Sequence, residues 1–143
     1  MTYSSDSALE YIALGLLDHT LPKPEWTHAA HFAAAFWMLA DPSSDAMADM
    51  PRLIRTYNLA TGVENSDSDG YHETITQASL RAAHHYLLSA EEGIELYESL
   101  NRFLASSFGK ADWLLAYWSR DVLFSVEARR GWVPPDIAAL PFD

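Results

Sequence analysis

Residues 26–40 read WTHAAHFAAAFWMLA and contain no Lys, Arg, Asp or Glu. Drawn as a helix, this run is apolar in every direction, since Trp37, Met38 and Leu39 point to three different sides. A helix that is apolar all round is buried inside a protein. The run is also too short to cross a bilayer, which takes about 20 residues. We therefore expect residues 26–40 to form a central, buried helix.

Helical spacing of apolar residues continues along most of the chain, and no segment shows the period of two that is typical of strands. We expect further helices over 7–19, within 45–60, over 71–88, from about 89 to Gly109, and over 111–124. Capping-box spacing at 7–10 and 89–92 marks two helix starts, and Pro51 predicts that the regular part of the third helix begins there. The sequence thus predicts an all-α fold, a single-domain helical bundle of about six helices over residues 1–143. An irregular, proline-containing tail over 131–143 is expected to be pinned by Trp132 and Phe142.

Composition excludes several classes of partner. The formal net charge of -11 disfavours nucleic acid and anionic membrane surfaces, because phosphate would be repelled. The chain has no cysteine, which rules out disulfides and thiolate metal sites. The acidic N-terminal segment lacks the basic region of a secretory signal, so a cytoplasmic protein is expected.

Three histidines are predicted to face inward. His28 and His31 are three residues apart and so share a helix face near the start of the apolar run. His72 falls in the apolar stripe of the 71–88 helix, near its start, whereas His84 and His85 fall on the outer face. Three imidazoles with an open position form a catalytic metal site in some enzymes, so we expect a divalent transition metal, namely Zn, Fe or Ni.

Glu73, next to His72, is the candidate general base for a metal-bound water. The segment HETIT resembles the H-E-x-x-H of zinc proteases, with Thr76 where the second histidine belongs. A metal-free alternative pairs His72 and His31 as acid and base, with Glu73 orienting one of them. Polar groups that line a buried pocket are predicted from a further set of residues: Tyr57, Asn58, Tyr71 and Thr76.

A competing hypothesis places calcium in the loop over residues 65–76. Asn65, Asp67 and Asp69 fill the first ligand positions of an EF-hand, and Gly70 its turn. Position twelve is Thr76 instead of the bidentate glutamate, which makes this a degenerate calcium loop.

The segments EWTHAAHF, YN, GYHETIT and SVEARRGWVPPD together resemble a family of small uncharacterised bacterial all-helical proteins. The resemblance covers most of the chain. It implies that His28, His31, His72 and Glu73, together with Tyr57 and Asn58, lie in the segments that carry the family's motifs.

Two functions of different classes follow from these patterns. The first is a small metal-dependent enzyme, for example a hydrolase, in which the histidines hold the metal and Glu73 acts as base. The second is a non-catalytic binding module for a small molecule or a protein, in which the histidines are structural.

Overall fold

The computed structural model describes residues 3–142, and within them it contains helices and no strand. The seven α-helices are α1 (Asp6–Asp18), α2 (His28–Ala40), α3 (Ala46–Ala60), α4 (Glu73–Leu88), α5 (Leu96–Ala105), α6 (Arg120–Leu123) and α7 (Val126–Arg130). Three short 3₁₀ helices join them at Lys23–Glu25, Ser107–Gly109 and Trp113–Ala116. The predicted all-α helical bundle is therefore confirmed.

Helix α2 lies at the centre of the bundle and packs against α1, α3, α4 and α5. Its side chains Phe32 and Phe36 are 2% and 0% exposed. Both contact the ring of Phe103 on α5, at centroid distances of 4.8 Å and 5.2 Å. Burying one such side chain stabilises a fold by about 1.5–3 kcal/mol, so this aromatic group accounts for much of the attachment of α5 to α2. The predicted central position of the 26–40 run is correct.

The start of α2 lies two residues later than the sequence indicated. Thr27 is the N-cap, because its hydroxyl accepts a hydrogen bond from Ala30 N at 3.2 Å. Trp26 therefore lies outside the helix and is free to turn back over it. As a result, its ring stacks on His31 with centroids 3.8 Å apart.

Two predicted helix starts are wrong. Helix α1 begins at Asp6 and α5 begins only at Leu96, so neither predicted capping box forms. Before α5 the chain makes a turn that places Gly93 at φ 81°, a conformation that interrupts a helix.

The predicted start of the third helix at Pro51 is also wrong, because Pro51 lies inside α3. The helix begins five residues earlier, at Ala46, where the Asp45 carboxylate accepts a hydrogen bond from Ala48 N at 3.2 Å. This N-cap stabilises the first turn. Helix α3 continues through Pro51 although proline supplies no backbone donor there.

The single helix predicted over 111–124 is divided into a 3₁₀ helix and α6. At the division the tail contacts the segment, since Ile137 N donates a hydrogen bond to Tyr117 O at 2.9 Å. Ser119 then caps α6 by accepting from Val122 N, while its own N–H donates to Asp136 at 2.8 Å.

The tail itself carries no helix over residues 131–142, as predicted. Trp132 lies edge-on to Trp118 with centroids 5.7 Å apart, and the guanidinium of Arg81 covers its other side at 3.8 Å. Phe142 is 7% exposed. These contacts anchor the irregular segment to the bundle, and the predicted pins are confirmed. Within residues 3–142, no helix combines the length and the apolarity that crossing a bilayer requires.

Candidate functional site

A cavity of about 370 Å³ lies between α2, α3, α4 and the divided segment over 111–124. Twelve of its eighteen lining residues are apolar, and eight of these are buried: Phe32, Ala35, Met50, Ile54, Leu80, Trp113, Leu114 and Leu123. Small-molecule sites in proteins are mostly apolar and measure roughly 300–1,000 Å³. The cavity has the size and the lining of such a site.

Six polar residues also line this cavity, and they divide by exposure. His28, His31, Thr76 and Ser79 are half-buried, whereas Asp112 and Arg120 are exposed. The two charged side chains therefore belong to the solvent-facing rim. The polar groups farther in are imidazoles and hydroxyls, none of which has to carry a charge.

The ring of His31 is held in one orientation. Its Nδ1 lies 2.7 Å from Thr27 O, and since a carbonyl only accepts, Nδ1 carries the proton and donates it. Trp26 stacks on the ring. Burial lowers the pKa of His31 to about 4, although the bond to Thr27 O works in the opposite direction. His31 is therefore neutral at pH 7, and its Nε2 has a free lone pair.

His28 is placed at the same end of α2. Its Nε2 lies 3.1 Å from Phe108 O, and its ring meets Phe32 edge-on with centroids 5.2 Å apart. With Nε2–H donating to the carbonyl, a neutral His28 has Nδ1 as its acceptor. Thus both histidines of α2 line the cavity, as the predicted shared face requires.

His72 has a different role. It is the N-cap of α4, and its Nδ1 accepts from Ile75 N at 3.1 Å. Its Nε2 lies 2.7 Å from Leu123 O, to which it donates. The side chain is buried at 7% exposure, and burial lowers its pKa. The inward direction was predicted correctly, but both ring nitrogens are already engaged, so neither is available to a metal ion or to proton transfer.

The predicted metal ligands His28, His31 and His72 do not converge. Across residues 3–142 no three His, Cys, Asp or Glu side chains are grouped so that they could hold a metal ion. The physical reason is the cap: His72 bonds the backbone of its own helix and of α6 and does not line the cavity.

Glu73, the predicted base, also lies outside the cavity lining. Its carboxylate accepts from the Tyr71 hydroxyl and from Gln77 Nε2, the latter at 3.3 Å, and Arg55 lies 3.9 Å away. Arg55 in turn covers the Tyr71 ring at 4.1 Å. Burial, followed by the bond to Glu73, raises the pKa of Tyr71. Glu73 thus belongs to a polar network with these three residues and not with His31.

Of the four predicted pocket-lining residues, only Thr76 lines the cavity. Tyr57 is fully buried, and its hydroxyl donates to Leu21 O at 2.7 Å. Asn58 donates from Nδ2 to Asn65 Oδ1 at 3.0 Å. Tyr57 and Asn58 therefore tie α3 to neighbouring loops, while Tyr71 serves the Glu73 network described above.

The candidate calcium loop over 65–76 is organised by its own side chains. Asn65 Oδ1 accepts from Tyr71 N at 3.0 Å in addition to Asn58. Asp67 forms a two-point pair with Arg130 at 2.7 Å and 2.8 Å. The side-chain oxygens of Asn65 and Asp67 are thus engaged within the protein, and the absence of a metal-holding group of His, Cys, Asp and Glu in residues 3–142 extends to this loop.

Sequence patterns missed the cavity wall that residues 111–124 form. Trp113, Leu114, Asp112 and Arg120 come from the segment that was expected to be one helix, so their common direction was not apparent. Ser79 did give a signal, because it is a small polar residue within the apolar stripe of α4. The outward direction of the remaining pair, His84 and His85, is confirmed, since both are exposed.

Comparison with protein-family models, curated proteins and solved structures finds no match to this chain. The family resemblance of its motifs stays a prediction.

Proposed function

We propose that this protein binds a small, largely apolar molecule in the cavity between α2, α3 and α4. The observation that carries the proposal is the apolar cavity of about 370 Å³ with a neutral, oriented imidazole in its wall. Cavities of this kind are the usual binding sites for small ligands. The proposal corresponds to the binding-module hypothesis, with His72 in a structural role and His31 at the ligand.

The positions of His72 and Glu73 do not support the metal-dependent hydrolase. A general base has to come within about 3 Å of the proton that it removes, directly or through one water. Glu73 is instead bonded to Tyr71 and Gln77 outside the cavity. His31 is a poor general base at neutral pH, because burial lowers its pKa to about 4.

The volume sets the size of the ligand. A cavity of about 150 Å³ accepts benzene. On that scale a cavity of about 370 Å³ has room for roughly 12–15 carbon-sized atoms. Naphthalene is therefore a suitable first probe, being apolar, rigid and smaller than this limit.

The test is the thermal unfolding temperature measured with increasing naphthalene. A ligand that binds only the folded protein raises this temperature, and a concentration of 100 times Kd stabilises by about 2.7 kcal/mol. Ser79→Leu places two more non-hydrogen atoms in the cavity wall and should reduce the shift. His84→Leu, on the exposed face of the same helix, should leave it unchanged.

The absence of a shift in the wild type would refute the proposal, as would an equal shift in the folded Ser79→Leu variant. Elemental analysis of the purified protein decides the metal alternative. A stoichiometric transition metal that disappears in His31→Ala would favour the metal-dependent enzyme.

A further inference from the structure

The hydrogen-bonding groups of the cavity define the chemistry of its ligand more narrowly than its apolar wall does. This step rests on the proposed function, since it concerns the same cavity. The relevant atom is Nε2 of His31. Its partner nitrogen, Nδ1, is committed to Thr27 O, so Nε2 accepts and does not donate.

Nε2 of His31 has no hydrogen-bond partner among the residues that the structure describes, yet it is not sealed. Over residues 3–142, the only fully covered side-chain nitrogen or oxygen without a partner is Trp113 Nε1. Open space must therefore lie in front of the His31 acceptor. His31 lines the cavity, and Trp26 covers its ring by stacking. A ligand in the cavity therefore lies against His31, the residue that carries this unpaired acceptor.

The half-buried polar groups of the wall also fix the charge of the ligand. His28 donates its Nε2–H to Phe108 O, so in the neutral ring the second nitrogen is another acceptor. The indole N–H of Trp113 is covered and does not face the open space. Apart from the hydroxyls of Thr76 and Ser79, a buried carboxylate would meet acceptors and apolar side chains, and an ion without a partner of opposite charge is costly to bury. The only charged lining residues, Asp112 and Arg120, are exposed at the rim.

We propose that the ligand is a neutral ring compound with a hydroxyl or N–H donor, of the phenol class, whose donor binds Nε2 of His31. The apolar rings then occupy the space between Phe32, Trp113 and Leu80. Thr76 and Ser79, which line the cavity from α4, have hydroxyls that can donate to or accept from the ligand oxygen. The fixed orientation of His31 favours a ligand with its donor at one edge.

The test compares three probes of nearly equal size: 2-naphthol, naphthalene and 2-naphthoate. Their dissociation constants are measured by titration with the full chain at pH 7. One neutral hydrogen bond contributes a factor of about 3–10 in affinity. We expect 2-naphthol to bind about 3–10 times more tightly than naphthalene, and 2-naphthoate to bind more weakly than either.

His31→Phe is the decisive variant, because it keeps a ring against Trp26 and removes both nitrogens. Thr27 O is not orphaned by this change, since it also accepts from His31 N at 3.0 Å. The variant should bind naphthalene as well as the wild type does and lose the preference for 2-naphthol. His84→Phe, at an exposed position, is the matched control and should keep the preference.

Three results would overturn the inference. Equal binding of 2-naphthol and naphthalene by the wild type would show that no donor is recognised. A preference that persists in His31→Phe would place the donor elsewhere. Tightest binding of 2-naphthoate would indicate an anionic head group held at Arg120. If none of the three probes binds, the proposed binding function is refuted. If all three bind equally, the proposed function stands and only the recognition of a ligand donor by His31 is refuted.

Discussion

Acid should destabilise this protein through His31, and the structure gives the size of the effect. Burial lowers the pKa of His31 to about 4 from an ordinary value of 6.5. The unfolded chain therefore takes up a proton first as the pH falls, and uptake of a proton by the unfolded state alone favours unfolding. The stability linked to His31 is intact above pH 6.5, decreases below it and stops decreasing near pH 4.

Between pH 7 and pH 5 this linkage amounts to about 2 kcal/mol, because each factor of ten in proton affinity corresponds to about 1.4 kcal/mol. The measurement is the free energy of unfolding in urea at the two pH values, for the wild type and for His31→Phe. We expect the wild type to lose about 2 kcal/mol more than the variant on going from pH 7 to pH 5. The lowered pKa of His72 adds its own acid loss to both proteins and cancels in the comparison.

A His84→Phe, His85→Phe double variant is the control, since both side chains are exposed. Its acid loss should equal that of the wild type. The reasoning is refuted if His31→Phe loses as much stability as the wild type, or if the double variant is the one whose acid loss shrinks.

Two further predictions concern the elements that surround the site. His72→Ala should lower the free energy of unfolding by about 2–4 kcal/mol, because Ile75 N and Leu123 O both lose a partner. His72→Asn keeps an N-cap acceptor and should restore about 1 kcal/mol of this loss in urea denaturation. Equal losses in the two variants would contradict the capping role. Gly70→Ala should lower the unfolding temperature more than Gly62→Ala does. Both residues have positive φ (79° and 86°), but only at Gly70 would a new Cβ collide with backbone, at Glu64 O. Equal shifts in thermal unfolding would mean that the 65–70 loop yields to the added atom.

The central helix was predictable because the pattern that indicates burial, a run without charged residues, lies within one continuous segment. No charged residue occurs between Trp26 and Ala40, and only a buried position tolerates such a run. The same argument placed His28 and His31 on one face. Periodicity failed at the helix ends, where one hydrogen bond decides the boundary: the Asp45 cap starts α3 upstream of Pro51, which lies inside the helix.

The cavity wall formed by residues 111–124 was not predictable from local pattern. These residues have helical spacing, yet they form a 3₁₀ helix and α6 with a break after Ala116. The tail bonds to this break through Ile137 N and Tyr117 O, which are twenty positions apart. Periodicity within a window of 11–18 residues does not register a bond at that distance. Trp113 and Leu123, on either side of this break, both line the cavity.

The histidines show why residue type and direction were not enough to assign a site. His31 and His72 both point inward, both are neutral because of burial, and both donate a ring N–H to a backbone carbonyl. They differ in the second nitrogen: Ile75 N occupies it in His72, whereas it is open in His31. An imidazole with both nitrogens bonded stabilises the backbone and has no capacity left for a ligand. The bond from His72 to Leu123 O therefore stabilises the cavity wall without entering the cavity, since Leu123 lines the same cavity as His31. Replacing His72 should thus weaken ligand binding only as far as it loosens that wall, while replacing His31 removes recognition and leaves the wall in place.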